Sequence, residues 1–147
     1  MCSSLILLLM FGIAACNSNE PESIQPIGLK VTGVELTTAE NIGLLKGEVS
    51  SSINELTFVA TGDDARLGFL SSLTIGDQHY DFNPSDYKME NRTVISKEWG
   101  TVQFIRENPY TTKIILSENN SKNARELKLE FGVGYKQTAV TILQRSK

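Results

Sequence analysis

His79 is the only histidine in this chain of 147 residues, so any imidazole acid–base chemistry must pass through it. A Ser-His-Asp arrangement would rest on that residue alone, and no Gly-x-Ser-x-Gly elbow is present to raise a serine nucleophile. His79 alternates with Tyr80 and Asp81 in a strand-like stretch and reads as a surface strand histidine. Asp63-Asp64 offer oxygen ligands of the kind calcium takes. They follow Gly62, and the trio reads as a turn. Gly132-Val133-Gly134 has no strand-to-helix setting that would make it a phosphate cradle, and it too reads as a turn. The carboxylates are spread among lysines and arginines, with a net charge of −3. Glycoside hydrolysis needs two carboxyls at a fixed separation, and no pair stands out. The chain is therefore expected to be noncatalytic and to need no cofactor.

Aromatic side chains offer a different chemistry. Sugar rings stack on flat aromatic faces while Asp, Asn and Arg hydrogen-bond the hydroxyls. Trp99, Tyr87, Tyr110 and Tyr135 all fall at or near expected loops, where a rigid scaffold commonly presents binding residues. Trp99 leads the set because Gly100 beside it suggests a turn. The same indole could equally be the main core aromatic of the domain.

The elements that would position these residues are short strands. Leu56, Phe58 and Ala60 alternate with Thr57, Val59 and Thr61, followed by the Gly62-Asp63-Asp64 turn. Residues 31–36 and 44–49 supply weaker strands, the first at an edge. A strand over 67–75, with room for a helical turn within 64–70, leads into Gly76-Asp77, a two-residue hairpin composition. The return strand, 78–82, puts Tyr80 and Phe82 on one face. Residues 92–96 and 101–106 pair around Trp99-Gly100, and 112–116 follows. In the last hairpin Leu127, Leu129 and Phe131 alternate with Glu126, Lys128 and Glu130, and Val140 and Ile142 return opposite. Many short strands without a long helix predict an all-β protein, a β-sandwich over residues 31–147. No Lys/Arg cluster appears, which argues against nucleic acid as a partner.

The N-terminal segment is of another kind. Residues 5–11 are apolar, too few to span a bilayer, which takes about 20, but of signal-peptide length. Ile13-Ala14-Ala15-Cys16 resembles the lipobox of bacterial lipoproteins. The resemblance implies a diacylglyceryl group on the Cys16 thiol, removal of residues 1–15, and anchoring in the lipid bilayer through the acylated Cys16. Met1 to Ser4 contain no Lys or Arg, so the initiator amine alone charges that end: either the true start lies upstream or the n-region is an unusually weak one. Residues 16–30, with Pro21, Pro26 and Gly28, read as a flexible tether. Cys2 leaves with the signal and Cys16 carries lipid. No thiol then remains for a disulfide, and with one histidine no usual zinc set can form.

The stretch Ser117 to Gln144 resembles the end of a BACON domain, an immunoglobulin-like sandwich of Bacteroidetes surface proteins. The resemblance rests on Asn119, Asn120 and Asn123, on Ala124-Arg125 entering a strand, and on Gly132 and Gly134. It is completed by Thr138-Ala139-Val140-Thr141-Ile142-Leu143-Gln144, and Leu56 to Gly62 looks like an opening strand of the same family. It implies an immunoglobulin-like fold and a role in glycan or mucin binding, or as a spacer. Residues 67–107 depart from the family pattern. The expectation is an outer-membrane lipoprotein whose tethered sandwich binds glycans or proteins, with a structural role among envelope proteins as the alternative and a small hydrolase as the remote one.

Overall fold

Apolar residues at every second position give each strand one face to bury, and the buried faces close the chain into two facing sheets. The computed structural model describes residues 23–39, 43–83 and 92–147. Cys16 and Tyr87 lie outside them. The strands are β1 (Gly28–Thr32), β2 (Leu36–Thr38), β3 (Leu44–Val49), β4 (Asn54–Thr61), β5 (Leu70–Ile75), β6 (Gln78–Asp81), β7 (Arg92–Lys97), β8 (Gly100–Asn108), β9 (Thr111–Leu116), β10 (Arg125–Val133) and β11 (Lys136–Gln144). A 3-10 turn, Ala65–Leu67, precedes β5. No described helix is long and apolar enough to cross a membrane.

One sheet has five strands in the order β1-β4-β9-β8-β7, the other six in the order β2-β3-β11-β10-β5-β6. Neighbours are antiparallel except β3 and β11, which run parallel from Ala139↔Leu44 to Gln144↔Val49. The run β1-β4-β9-β8 against β11-β10-β5 reproduces the ABED and GFC sheets of the immunoglobulin-like sandwich. Here β6 extends the second sheet and β7 the first.

The core shows how the alternation works. Leu127, Leu129 and Phe131 of β10 are buried while Glu126, Lys128 and Glu130 face solvent. Val140 and Ile142, Ile114 and Leu116, Val102 and Phe104, and Leu56 and Phe58 meet them from neighbouring strands and the facing sheet. Phe58 and Phe131 stack across the interior with ring centroids 4.9 Å apart. Phe82 meets Phe104 edge-on at the same distance. Each such side chain contributes about 1.5–3 kcal/mol when fully buried.

Three expectations change. The sandwich takes in residues of the expected tether. Ile27 is 4% exposed, Thr138 Oγ1 donates to the Ile27 carbonyl at 2.7 Å, and Gln25 bridges Lys136. The boundary at residue 31 therefore moves toward the N terminus. Pro26 and Gly28, which look like linker residues, flank an isoleucine that fills the core. Residues 31–36 are likewise not one strand: β1 pairs with β4 and β2 with β3, so the chain changes sheets between them.

The third change concerns the last turn. Val133 pairs with Lys136, so the turn is Gly134-Tyr135, and Gly132 stays within β10. Its φ is +113°, and a Cβ there would lie 2.1 Å from the Lys136 carbonyl oxygen. Gly132→Ala thus combines a disfavoured backbone with a clash against main chain that cannot yield. The expected loss is about 2–4 kcal/mol, read as a lower urea midpoint. Gly134→Ala (φ +57°, open space around the Cβ) should cost only about 1 kcal/mol. Equal losses at the two sites would refute the steric account.

Candidate functional site

Three turns meet at one end of the sandwich. Lys97 pairs with Gly100, so Glu98-Trp99 caps the β7–β8 hairpin. Ile75 pairs with Gln78, so Gly76-Asp77 caps β5–β6. The loop from Ser117 to Ala124 joins β9 to β10. Between them lies an open cleft of about 320 Å³ lined by Trp99, Asp77, Gln78, Ser121, Asn123 and Glu126, among others.

Arg125 builds this end. It is 6% exposed at the start of β10, on the inward face. Its Nε donates to Gln144 Oε1 at 3.0 Å, Nη1 to the Trp99 carbonyl at 2.8 Å, and Nη2 to the Ser117 carbonyl at 2.8 Å and again to Gln144 Oε1. Gln144, fully buried, uses its amide nitrogen on the carbonyls of Ser52 and Ser117, both at 2.9 Å. Asn119, 1% exposed, donates to the Asn123 and Arg145 carbonyls at 3.0 Å and accepts from Ser121 Oγ at 2.8 Å. A planar fork with several fixed donors suits this task, because each buried carbonyl needs a partner. Burial draws the guanidinium below its ordinary pKa range, yet arginine starts so far above neutrality that it stays charged.

Trp99 is half-buried against the core. The Arg125 guanidinium lies 5.3 Å from its ring centroid, within the range of a cation–π contact. Its Nε1 is buried and makes no hydrogen bond. The indole therefore packs against the core and also lines the cleft.

The other aromatic residues do not join it. Tyr110 precedes β9, and its carbonyl accepts from Ala60 N at the far end of β4. Tyr135 sits in the β10–β11 turn. Both occupy the opposite end of the sandwich, nine residues of β10 away, about 30 Å at the rise of a strand. The expected grouping of Trp99 with Tyr110 and Tyr135 is thus replaced by two separate ends, because successive hairpin turns alternate between them. Tyr87 lies outside the described residues. Asp77, Gln78, Ser121 and Glu126 line the cleft without having drawn attention in the sequence, where they look like ordinary turn and surface residues.

The remaining candidates resolve simply. His79 stands on the outer face of edge strand β6. Its Nδ1 meets Thr74 Oγ1 at 2.7 Å and its Nε2 meets Asp81 Oδ1 at 2.9 Å. The order is that of a hydroxyl–imidazole–carboxylate relay, but the His79 and Asp81 side chains are 51% and 80% exposed. In water such partners couple weakly. Asp64 pairs with Lys136 at 2.6 Å and holds that ammonium above its ordinary range, so one acid of the Asp63-Asp64 pair already has its cation. Among the described residues, no three His, Cys, Asp or Glu side chains gather as a metal site.

No protein-family profile matches the chain, and no curated protein matches it. Among solved structures, an NMR structure of a protein from Bacteroides thetaiotaomicron is similar, with a TM-score of 0.53 and 13% identity. The match covers 90% of this chain and 98% of that one. At that identity the likeness speaks to the fold alone.

Proposed function

We propose that the protein is a noncatalytic envelope lipoprotein, anchored in the outer membrane through acylated Cys16, whose sandwich binds glycans in the Trp99 cleft. The observation that carries the reading is the lining itself. The Trp99 indole is surrounded by Asp77, Gln78, Asn123 and Glu126, the mixture of flat apolar surface and hydroxyl-bonding groups that a sugar ring requires. The BACON-like resemblance supports the same reading.

The test is a glycan array probed with the chain from residue 16 onward carrying Cys16→Ser. A bound glycan should lose affinity about tenfold or more with Trp99→Ala, the loss typical of a central aromatic contact, and should be indifferent to Tyr110→Ala. No binding on the array, beside a working positive control, would count against the glycan reading. A protein partner is the second reading. It is favoured by strand β7, which among the described residues stands at the edge of its sheet beside β8 and exposes Val94, offering backbone groups for strand addition.

A further inference from the structure

The two ends of the sandwich differ in a way that the cleft does not explain. Six large apolar or aromatic side chains are strongly exposed among the described residues, and four of them, Ile24, Tyr110, Val133 and Tyr135, lie at the end opposite Trp99. Gln25 N donates to the Tyr135 carbonyl at 2.7 Å, which brings Ile24 to the β10–β11 turn. Tyr110 borders a second cleft with Asp63 and Arg66, and the adjacent Asp64 pairs with Lys136 beside Tyr135. Of the remaining two, Val94 is on β7, and Ile53 lies in the β3–β4 connection toward the other end.

The same end is where the chain enters the fold. Cys16 lies seven residues before Ser23, the first described residue. Seven residues reach at most about 25 Å. The sandwich itself is about 30 Å long at the rise of its nine-residue strands. A lipid on Cys16 therefore keeps the tyrosine end within reach of the bilayer, with the Trp99 end about 30 Å further along the domain.

We infer that the Ile24, Tyr110, Val133 and Tyr135 end rests on the lipid surface, with the Trp99 cleft facing away from it. The inference rests on the lipid-anchor reading above. Tyrosine suits the boundary between headgroups and acyl chains, having an apolar ring and a polar tip. The charges beside these residues balance, Asp63 and Asp64 against Arg66 and Lys136. The contact is thus apolar and aromatic in character, and it should depend neither on anionic lipid nor on salt.

The test uses the full lipidated chain, purified from membranes and placed in phosphatidylcholine vesicles. With Cys16 acylated, an introduced cysteine is the unique thiol. Arg66→Cys marks the tyrosine end and Lys122→Cys the Trp99 end, each labelled with an environment-sensitive fluorophore and exposed to brominated lipid. The label at 66 should be quenched several-fold more than that at 122, at low and high salt alike. Adding Tyr110→Ser and Tyr135→Ser should abolish the difference while the protein still sediments with the vesicles. Equal, weak quenching at both positions on a sedimenting protein would overturn the docking and leave the anchor standing. Stronger quenching at 122 would reverse the orientation. A protein that does not sediment with the vesicles would remove the anchor, and the docking with it.

Discussion

Replacing Arg125 by Leu is expected to lower stability by about 2–4 kcal/mol, because it strips buried neutral acceptors of their donor. The change leaves Gln144 Oε1 and the Trp99 carbonyl without the donors they now have, while the Ser117 carbonyl keeps the Gln144 amide. Each unsatisfied buried group costs about 1–3 kcal/mol, and water entering from the open cleft recovers part of the sum. Arg125→Lys should lose nearly as much, because one ammonium on a flexible stem cannot reproduce a fork that reaches three separate segments. Gln144→Leu should also be costly. The double variant should lose less than the two single losses added, since both remove the same contact. Urea unfolding of the four variants beside the parent measures this. An Arg125→Leu midpoint close to that of the parent would show that the fork contributes nothing to stability. The outcome also bears on the cleft, because Arg125 holds the Trp99 backbone and flanks its ring.

Some of this was legible in advance and some was not, for physical reasons. The alternation of Leu127, Leu129 and Phe131 is a local pattern that one strand carries by itself, and β10 forms where it predicts. Gly76-Asp77 likewise encodes its own turn, with Gly76 at φ +60°. The change of sheet between β1 and β2 is different. It depends on which strands await on either side: Gly33, at φ +91°, marks a break in Val31 to Leu36 but does not say which strand each half will join. Arg125, Asn119 and Gln144 show the same limit more sharply. Each is a polar residue near a strand end and looks solvated in isolation. They become a buried network only when the β9–β10 loop, the end of β11 and the β7–β8 turn arrive together. Trp99 was legible as a turn residue, but its depth and its separation from Tyr110 and Tyr135 depend on the order of strands in space.

Cys16→Ser is expected to move the protein almost completely from the membrane fraction to the soluble one. Burying an acyl chain gains about 0.8 kcal/mol per methylene, and one myristoyl chain already gives marginal binding, so the two or three chains that the lipobox reading implies would hold the protein firmly. The tyrosine end cannot replace them, since a few exposed side chains on a rigid surface bury far less than the methylenes of those acyl chains. One retention route would be independent of lipid: an uncut apolar run at residues 5–11. A second form, with residues 1–15 exchanged for an ordinary cleavable secretory signal and Cys16→Ser retained, removes that run. Both forms should be soluble, or the second alone if the run holds the first. Mass spectrometry of the parent should find its mature N terminus at residue 16, heavier by the lipid. Unchanged sedimentation of the second form would refute the lipobox assignment. It would also shift the search for the membrane contact from the acyl chains to the protein surface, where Ile24, Tyr110, Val133 and Tyr135 are the residues to replace next.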